Sequence, residues 1–392
     1  MTAETPLQPR RAAKAQKAKF QLIEIGIVIA LILVLALVLP LLLSGFRLGL
    51  LGRFLCLAIV ALGIDLIWGF TGLLSLGHGI FFALGGYAFA MYLQLNSLGD
   101  GQLPEFFGLY GVSELPFFWQ PFYSLPVTLI AIVLIPTLVA GMLGYLVFRN
   151  RIRGVYFSIL TQAALVVFFN FFNGQQQLIN GTNGLKTDTS VFLGQEVGSA
   201  GMQGVFYIIT VILLALVYAL CRWITSGRFG RLLVAIRDDE NRVRFSGYDP
   251  TWFKVLVFAL SGSIAGIAGA LYTVQSGIVS PQYMDIAFSI EMVIWVAVGG
   301  RATLVGAVVG ALLVNWARAL LSENFPEVWL FFQGALFLLV VTVLPEGVVG
   351  WLRNRAGAQV RSLLGQREAL ATYPSLELDP EVQAEKGELV DQ

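Results

Sequence analysis

The feature that most constrains this chain is a series of apolar runs, most of them about 20 residues long, separated by charges or by clusters of Pro, Gly and Asn. At 1.5 Å of rise per residue such a run matches the roughly 30 Å hydrocarbon core of a bilayer, where only a helix satisfies every backbone N–H and C=O within its own segment. Ten runs emerge: 22–43, 53–73, 79–98, 125–148, 154–173, 204–223, 253–275, 286–300, 303–321 and 328–345. The eighth is short and holds Glu291, which sets it apart from the others. The hydrophobic share of 57% and the charged share of 12% agree with a chain whose main solvent is lipid, since soluble domains carry roughly 25% charged residues. The expected fold class is therefore an all-α membrane protein of about ten transmembrane helices.

Charge placement orients the spans. With the N-terminus inside, the inner segments collect Arg10, Arg11, Lys14, Lys17 and Lys19, then Arg149, Arg151 and Arg153, then the stretch from Arg222 to Lys254, then Arg353 to Arg367. The outer loops 99–124 and 174–203 hold a single basic residue, Lys186, and only Arg47 and Arg53 fall near outer turns. Both termini are expected in the cytoplasm. Ten helices divide into two sets of five, and an odd number per half would invert one half relative to the other. The spacings Gly45-x3-Gly49, Gly262-x3-Gly266 and Gly306-x3-Gly310 put small residues on one helix face, as close helix packing requires. The division along the chain is a basic cytoplasmic segment 1–20, a membrane domain 21–352 with a cytoplasmic loop at 222–254, and a cytoplasmic tail 353–392, acidic from Gln366 on, that reads as disordered. No small-residue cleavage pattern follows the first run, which reads as a retained helix.

Several chemistries are excluded. His78 is the one histidine, and Cys56 and Cys221 are far apart within or at the end of apolar runs, so no metal site and no disulfide framework is suggested. Segregated charge at loop positions is orientation information, not a nucleic-acid signature. None of the lysines is preceded by Gly, so the phosphate-cradling G-x4-G-K-[ST] loop is absent. No catalytic residue and no cofactor of its own are expected.

The loop RWITSGRFGRLLVAIRDDENRVRFSGYDPTWFK at 222–254 is too long for a simple turn. LLVAI followed by RDDENRVRF supplies a turn of apolar surface and then a dense mixed-charge face, and Ser246-Gly247 offers a helix stop. A short helix under the membrane would present Asp238, Asp239, Glu240, Arg242 and Arg244 to a cytoplasmic partner. The plainer reading is positive-inside charge and solvation.

This loop resembles the coupling loop of the LivM-type permeases of branched-chain amino-acid importers, in Gly230-Arg231, Ala235-Ile236-Arg237-Asp238-Asp239-Glu240, Gly247 and Lys254. The resemblance continues through GLLSLGHGIFFALGGY at 72–87, RGVYFSILTQA at 153–163, NGTNGL at 180–185 and FALSGSIAGIAGALY at 258–272. Arg242 and Arg244 stand where the amino-acid permeases tend to carry alanines. With residues 288–323 and the late VLPEGVVGW, that departure looks more like the urea-transport branch of the family. The resemblance implies the permease subunit of an ATP-binding-cassette importer in a bacterial inner membrane. It further implies a second homologous permease, two cytoplasmic ATPases that use the ATP, and a periplasmic solute-binding protein, with membrane lipid around the permease pair.

Polar residues inside the spans are candidates for the solute path, because ionisable groups in hydrocarbon are costly and are expected to face a partner or water. Asp65 and Glu291 are the clearest, and Thr161, Gln162, Asn170, Asn173 and Asn315 offer amide and hydroxyl groups that suit urea. Helix-to-helix hydrogen bonding is the rival role for each. A stand-alone channel or secondary transporter using Asp65 or Glu291 for ion coupling is the rival function. Trp68, Trp119, Trp252 and Trp351 read as interfacial anchors, and His78 as a packing or capping residue.

Overall fold

The structure is a computed structural model and describes Gly26, residues 30–98 and 102–325, and part of 327–352. The basic segment 1–20, the tail 353–392 and most of the expected tenth span 328–345 lie outside the described residues. Two compact units divide after Val349, and of the second only Gly350, Trp351 and Leu352 are described.

Nine of the ten expected spans coincide with helices. They are α1 (Ala30–Leu42), α2 (Gly45–Thr71), α3 (His78–Ser97), α4 (Leu125–Arg149), α5 (Val155–Gly174) and α6 (Ala200–Ser226). The basic loop forms α7 (Arg228–Asp238) and α8 (Glu240–Phe245), and α9 (Pro250–Ser276), α10 (Ile286–Gly299) and α11 (Leu304–Asn324) follow. Six of these, α2, α4, α5, α6, α9 and α11, are long and apolar enough to cross a membrane, whereas α1 and α10 are shorter. The chain is an all-α membrane protein with two short β ladders on one face, which the apolar-run reading did not anticipate.

Local chemistry sets the helix ends. Asp249 accepts from the Thr251 amide with Pro250 in the first turn of α9, Ser199 caps α6 through the Met202 amide, and Asp285 caps α10 through the Ile286 amide. The two longest core helices, α2 and α9, are 27 residues each, and each ends on a left-handed glycine, Gly72 and Gly277.

These two helices form the centre of the bundle: 78% of the most apolar stretch of α2 is buried, against 22% for α5. The Gln275 side chain lies against Gly52 and the Ser261 carbonyl against Gly63, so α2 and α9 run antiparallel. Peripheral α4 turns Leu129, Ile130, Val133 and Leu138 outward, as a lipid-facing surface requires. Pro136 inside α4 has no N–H for the Ile132 carbonyl, and Gly266 of α9 packs onto that carbonyl; a Cβ at Gly266 would lie 2.5 Å from Pro136 Cγ and 2.7 Å from Ile132 O. Gly306 and Gly310 bring α11 against Gly299 and the Trp295 carbonyl of α10 in the same way, but Gly45 and Gly49 meet nothing.

Away from the basic loop, the connections form a cap. β1 (Leu185–Lys186) pairs antiparallel with β4 (Ile278–Val279), and β2 (Val191–Phe192) with β3 (Gln195–Glu196). The NGTNGL stretch is a tight turn in which Asn180, at φ 58°, donates its side-chain amide to the Gly184 carbonyl at 2.8 Å. Trp119 is buried here and donates to the Leu178 carbonyl at 3.0 Å, so it is a packing residue of the cap and not an interfacial anchor.

Candidate functional site

Two pairs of successive core helices are joined by irregular backbone. α2 and α3 are separated by the non-helical stretch 72–77, and α9 and α10 by 277–285, which holds β4 and a 3-10 turn at Pro281–Met284. Both breaks open with the same pattern, Gly72-Leu73-Leu74-Ser75 and Gly277-Ile278-Val279-Ser280. Backbone groups that leave a helix must find other partners, and the first break finds them on α5: Ser158 Oγ donates to the Leu74 carbonyl at 2.6 Å, and the Leu76 amide donates to Thr161 Oγ1 at 3.0 Å. The N-terminus of α3 meets that of α10 where the Gly79 amide donates to Ser289 Oγ at 3.3 Å.

His78 opens α3 between Phe81 and Phe258, with Nε2 2.7 Å from Ser261 Oγ. Because the Ser261 hydroxyl donates to the Gly63 carbonyl at 2.6 Å, its single proton is committed and His78 must donate from Nε2. The ring is thereby fixed as the Nε2–H tautomer and ties α3 through α9 to α2, the packing role expected of it.

The expected path residues are spread over the bundle. Asp65 is fully buried and accepts from the Ala302 amide at 2.7 Å, fastening the α10–α11 turn to α2. Glu291 pairs with Arg318 across α10 and α11. Thr161 supports the first helix break, as above. Asn315 and Asn170 donate to carbonyls of their own helices, Ala311 and Val166, both at 2.8 Å; Asn315 is buried and Asn170 exposed. Gln162 and Asn173 are half-buried on α5.

On the basic face, the 222–254 loop is two helices and not one. The break at Asp239 arises because its carboxylate accepts from the Asn241 and Arg242 amides and so caps α8 in an extended backbone conformation. Gly247, at φ 87°, ends α8 as the sequence suggests. Ile236 and Leu233 bury the apolar side of α7, and Gly230 passes so close to the Thr225 carbonyl that a Cβ would lie 2.1 Å from it. Arg231 and Ala235 are exposed.

Two anchors hold this module. Arg237 Nη1 donates to the Gly69 carbonyl at 2.9 Å, placing a cation at the carbonyl end of α2, with its aliphatic stem over Gly72. Glu240 is buried and accepts from Arg244 at 2.9 Å and Lys254 at 3.0 Å, with Arg153 at 3.6 Å. Burial alone would raise the Glu240 carboxyl, but Arg244, Lys254 and Arg153 outweigh it and hold its pKa below the ordinary value. Glu240 and Arg244 therefore turn inward, contrary to the expectation that they face a partner; Asp238 and Arg242, at 63% and 88% exposure, remain outward. Arg153 and Lys254, which the sequence marked as inner-side charge and as a family-motif position but not as partners of Glu240, carry the signal of being basic residues at the two helix starts next to an acidic loop.

The end of α2 also receives the α10–α11 turn. Arg301 lies over the Trp68 ring, 4.8 Å from its centroid, one turn from Asp65. Asp65, Trp68, Gly69 and Gly72 thus form one joint between α7 and the α10–α11 turn.

A family model described as branched-chain amino acid transport system / permease component matches residues 46–341. The high-affinity branched-chain amino acid transport system permease protein LivM of Salmonella typhimurium is 26% identical over 316 residues, which cover 75% of this chain and 68% of that protein. The LivM protein of Escherichia coli is 26% identical over 317 residues with the same coverage. LivH of Escherichia coli is 25% identical over 308 residues, covering 75% of this chain and 91% of LivH. No solved structure matches.

Proposed function

This chain belongs to the family of branched-chain amino acid transport system permease components, and we propose that it is the membrane-spanning permease of an ATP-binding-cassette importer for urea. A permease subunit of this kind is not itself an enzyme. Hydrolysis of ATP falls to two cytoplasmic partner subunits, and a solute-binding protein outside the bacterial inner membrane delivers the substrate to this chain and a second homologous permease.

The observation that carries the permease reading is the joint at the end of α2. An ATPase subunit that seats on the exposed side of α7–α8, at Arg231, Ala235, Asp238 and Arg242, would move α7 and what it holds, since Arg237 ties the module to α2 and Glu240 ties it to α9 and the α4–α5 connection. Displacement of α7 then reaches the α10–α11 turn through Gly69 and Asp65. Two positions of that joint would give the two-state element by which nucleotide-driven closure switches access from one side to the other.

Urea is favoured by the departure at Arg242 and Arg244 and by the resemblance of residues 288–323. Identity of 26% to the amino-acid permeases is compatible with a shared mechanism and a different solute. A branched-chain amino acid is the second reading, favoured by the printed names of the relatives. Competition of labelled urea against leucine, in cells lacking the gene and in complemented cells, separates the two. Restored leucine uptake without urea uptake sinks the urea assignment, and uptake that persists without any ATPase sinks the importer.

A further inference from the structure

Three arginines cluster at the end of α4 and in the short connection to α5, and the structure gives each a different setting. Arg149 is engaged by Tyr145, with Nη1 2.6 Å from the phenol oxygen and the guanidinium over the ring. Arg153 is shared between Glu240 and Asn241, at 3.6 Å and 3.4 Å. Arg151 is exposed and makes no side-chain hydrogen bond or ion pair among the described residues.

The backbone singles out the same residue. α4 closes in a Schellman arrangement, with the Ile152 amide donating to the Val147 carbonyl at 3.3 Å and the Arg151 amide to the Phe148 carbonyl at 3.1 Å. Arg151 occupies the left-handed position of that cap, at φ 57°, where glycine is the usual residue because a Cβ is disfavoured there. The chain thus carries an arginine at a position whose backbone favours glycine, and a strained residue of this kind calls for a reason in its side chain.

Arg151 and Arg153 form the charged end of a groove of about 540 Å³ whose other walls are Ile152, Tyr156, Ile159 and Leu160. Tyr156, Ile159 and Leu160 lie on α5, whose exposed face is apolar: Tyr156 is 75% exposed and Ile159 56%. A groove with two guanidiniums and a phenol at the helix start and aliphatic side chains along the span has the polarity of a phospholipid, headgroup at one end and acyl chain along the other. Basic pockets at the cytoplasmic ends of transmembrane helices select anionic headgroups, each Lys or Arg near the surface being worth about fivefold in affinity. Bidentate guanidinium–phosphate pairing gives Arg the advantage over Lys here.

We propose that the Arg151–Leu160 groove is a specific site for an anionic phospholipid of the cytoplasmic leaflet, its phosphate held by Arg151 and Arg153 and an acyl chain lying along Tyr156, Ile159 and Leu160. The site is defined without reference to the transported solute; only its assignment to the cytoplasmic leaflet rests on the orientation adopted above. Because Arg153 also touches Glu240, an occupied groove bears on the seating of α8.

The test uses the full chain in nanodiscs or mixed micelles, titrated with phosphatidylglycerol and, separately, phosphatidylcholine, with bound lipid counted by native mass spectrometry. Wild type is expected to prefer phosphatidylglycerol, and Arg151→Gly to lose about fivefold of that preference. Glycine relieves the left-handed strain, so this variant is also expected to melt no lower than wild type in phosphatidylcholine, which separates lost binding from lost folding. Arg231→Gln, on the same face but outside the groove, serves as the charge control. The proposal is overturned if wild type shows no preference, if Arg151→Gly keeps it, or if Arg231→Gln weakens it equally, which would mean diffuse surface attraction. Equal competition by glycerophosphoglycerol, which lacks acyl chains, would instead identify a soluble-phosphate site and overturn the lipid assignment.

Discussion

Lys254 Nζ lies 3.0 Å from Glu240 Oε1, and with side chains 1% and 8% exposed the pair joins the start of α9 to the start of α8. Arg244 and Arg153 complete the surroundings of the same carboxylate, so one acidic residue offsets cations from α8, α9 and the α4–α5 connection. The α7–α8 module is thereby fastened to α9 and the α4–α5 connection through one buried carboxylate, beside its second anchor, Arg237 on the Gly69 carbonyl.

Glu240→Gln removes that charge and leaves the Lys254 ammonium buried among other cations. Breaking one partner of a buried pair costs about 3 kcal/mol, much of it the penalty of the orphaned charge. The variant is expected to melt well below wild type in detergent, and Glu240→Leu combined with Lys254→Met is expected to recover a large part of the loss. A double variant no better than the single one would show that the pair is not the source of the stability.

Acid should reproduce the same loss. The folded-state pKa of Glu240 is held below its ordinary value of 4.5, so the unfolded chain takes up the proton first. The stabilisation is therefore fully present above about pH 5 and is lost as pH falls through the folded value. Asp249, held down by the Thr251 amide, has the same sign. Melting temperature plotted against pH is expected to fall below pH 4.5 for wild type and to fall less steeply for Glu240→Gln.

Arg237 places its guanidinium 2.9 Å from the Gly69 carbonyl, at the end of the helix that also carries Asp65. If ATPases seat on the exposed side of α7 as proposed, Arg237→Ala leaves that side to bind but cuts the link through which its displacement would reach α2. The expected phenotype is uncoupling: ATP hydrolysis continues while solute uptake falls about tenfold, the size expected when a charge-assisted hydrogen bond is lost. Measured ratios of ATP hydrolysed to solute moved decide it, and a parallel fall in both would point to failed assembly instead.

Much of this architecture was legible in the sequence, because a bilayer imposes one requirement on every residue of a span. The run 125–148 becomes α4 and 253–275 becomes α9 with boundaries shifted by at most three residues, the largest shift coming from the Asp249-Pro250 cap, and Ser199 starts α6 four residues ahead of its run. Interruptions were less legible. The stretch 72–77 departs from the helix because Ser158 and Thr161, more than 80 residues away, replace its lost backbone partners. The internal signal for it was the repeated Gly-x-x-Ser after two 27-residue helices. The inward turn of Glu240 was equally hidden, since a mixed-charge run has the same composition whether it faces water or closes on itself.

The glycine spacings separate cleanly into those that mark contacts and one that does not. A Cβ at Gly266 would lie 2.5 Å from Pro136 Cγ and 2.7 Å from the Ile132 carbonyl, and a proline ring and a helix backbone cannot move aside independently. Gly266→Ala must therefore push α9 away from α4, at a cost of about 1–3 kcal/mol for overpacking, and Gly310→Ala must do the same to α10 and α11, because its Cβ would lie 2.1 Å from the Trp295 carbonyl. Gly49 has nothing within 4 Å, so Gly49→Ala gains helix propensity of up to about 1 kcal/mol and disturbs no neighbour. Thermal denaturation of the three variants in one detergent is expected to order them as Gly49→Ala at or above wild type and the other two several degrees below. A Gly266→Ala protein that melts with wild type would mean that α4 and α9 do not approach as closely as Pro136 and Gly266 place them.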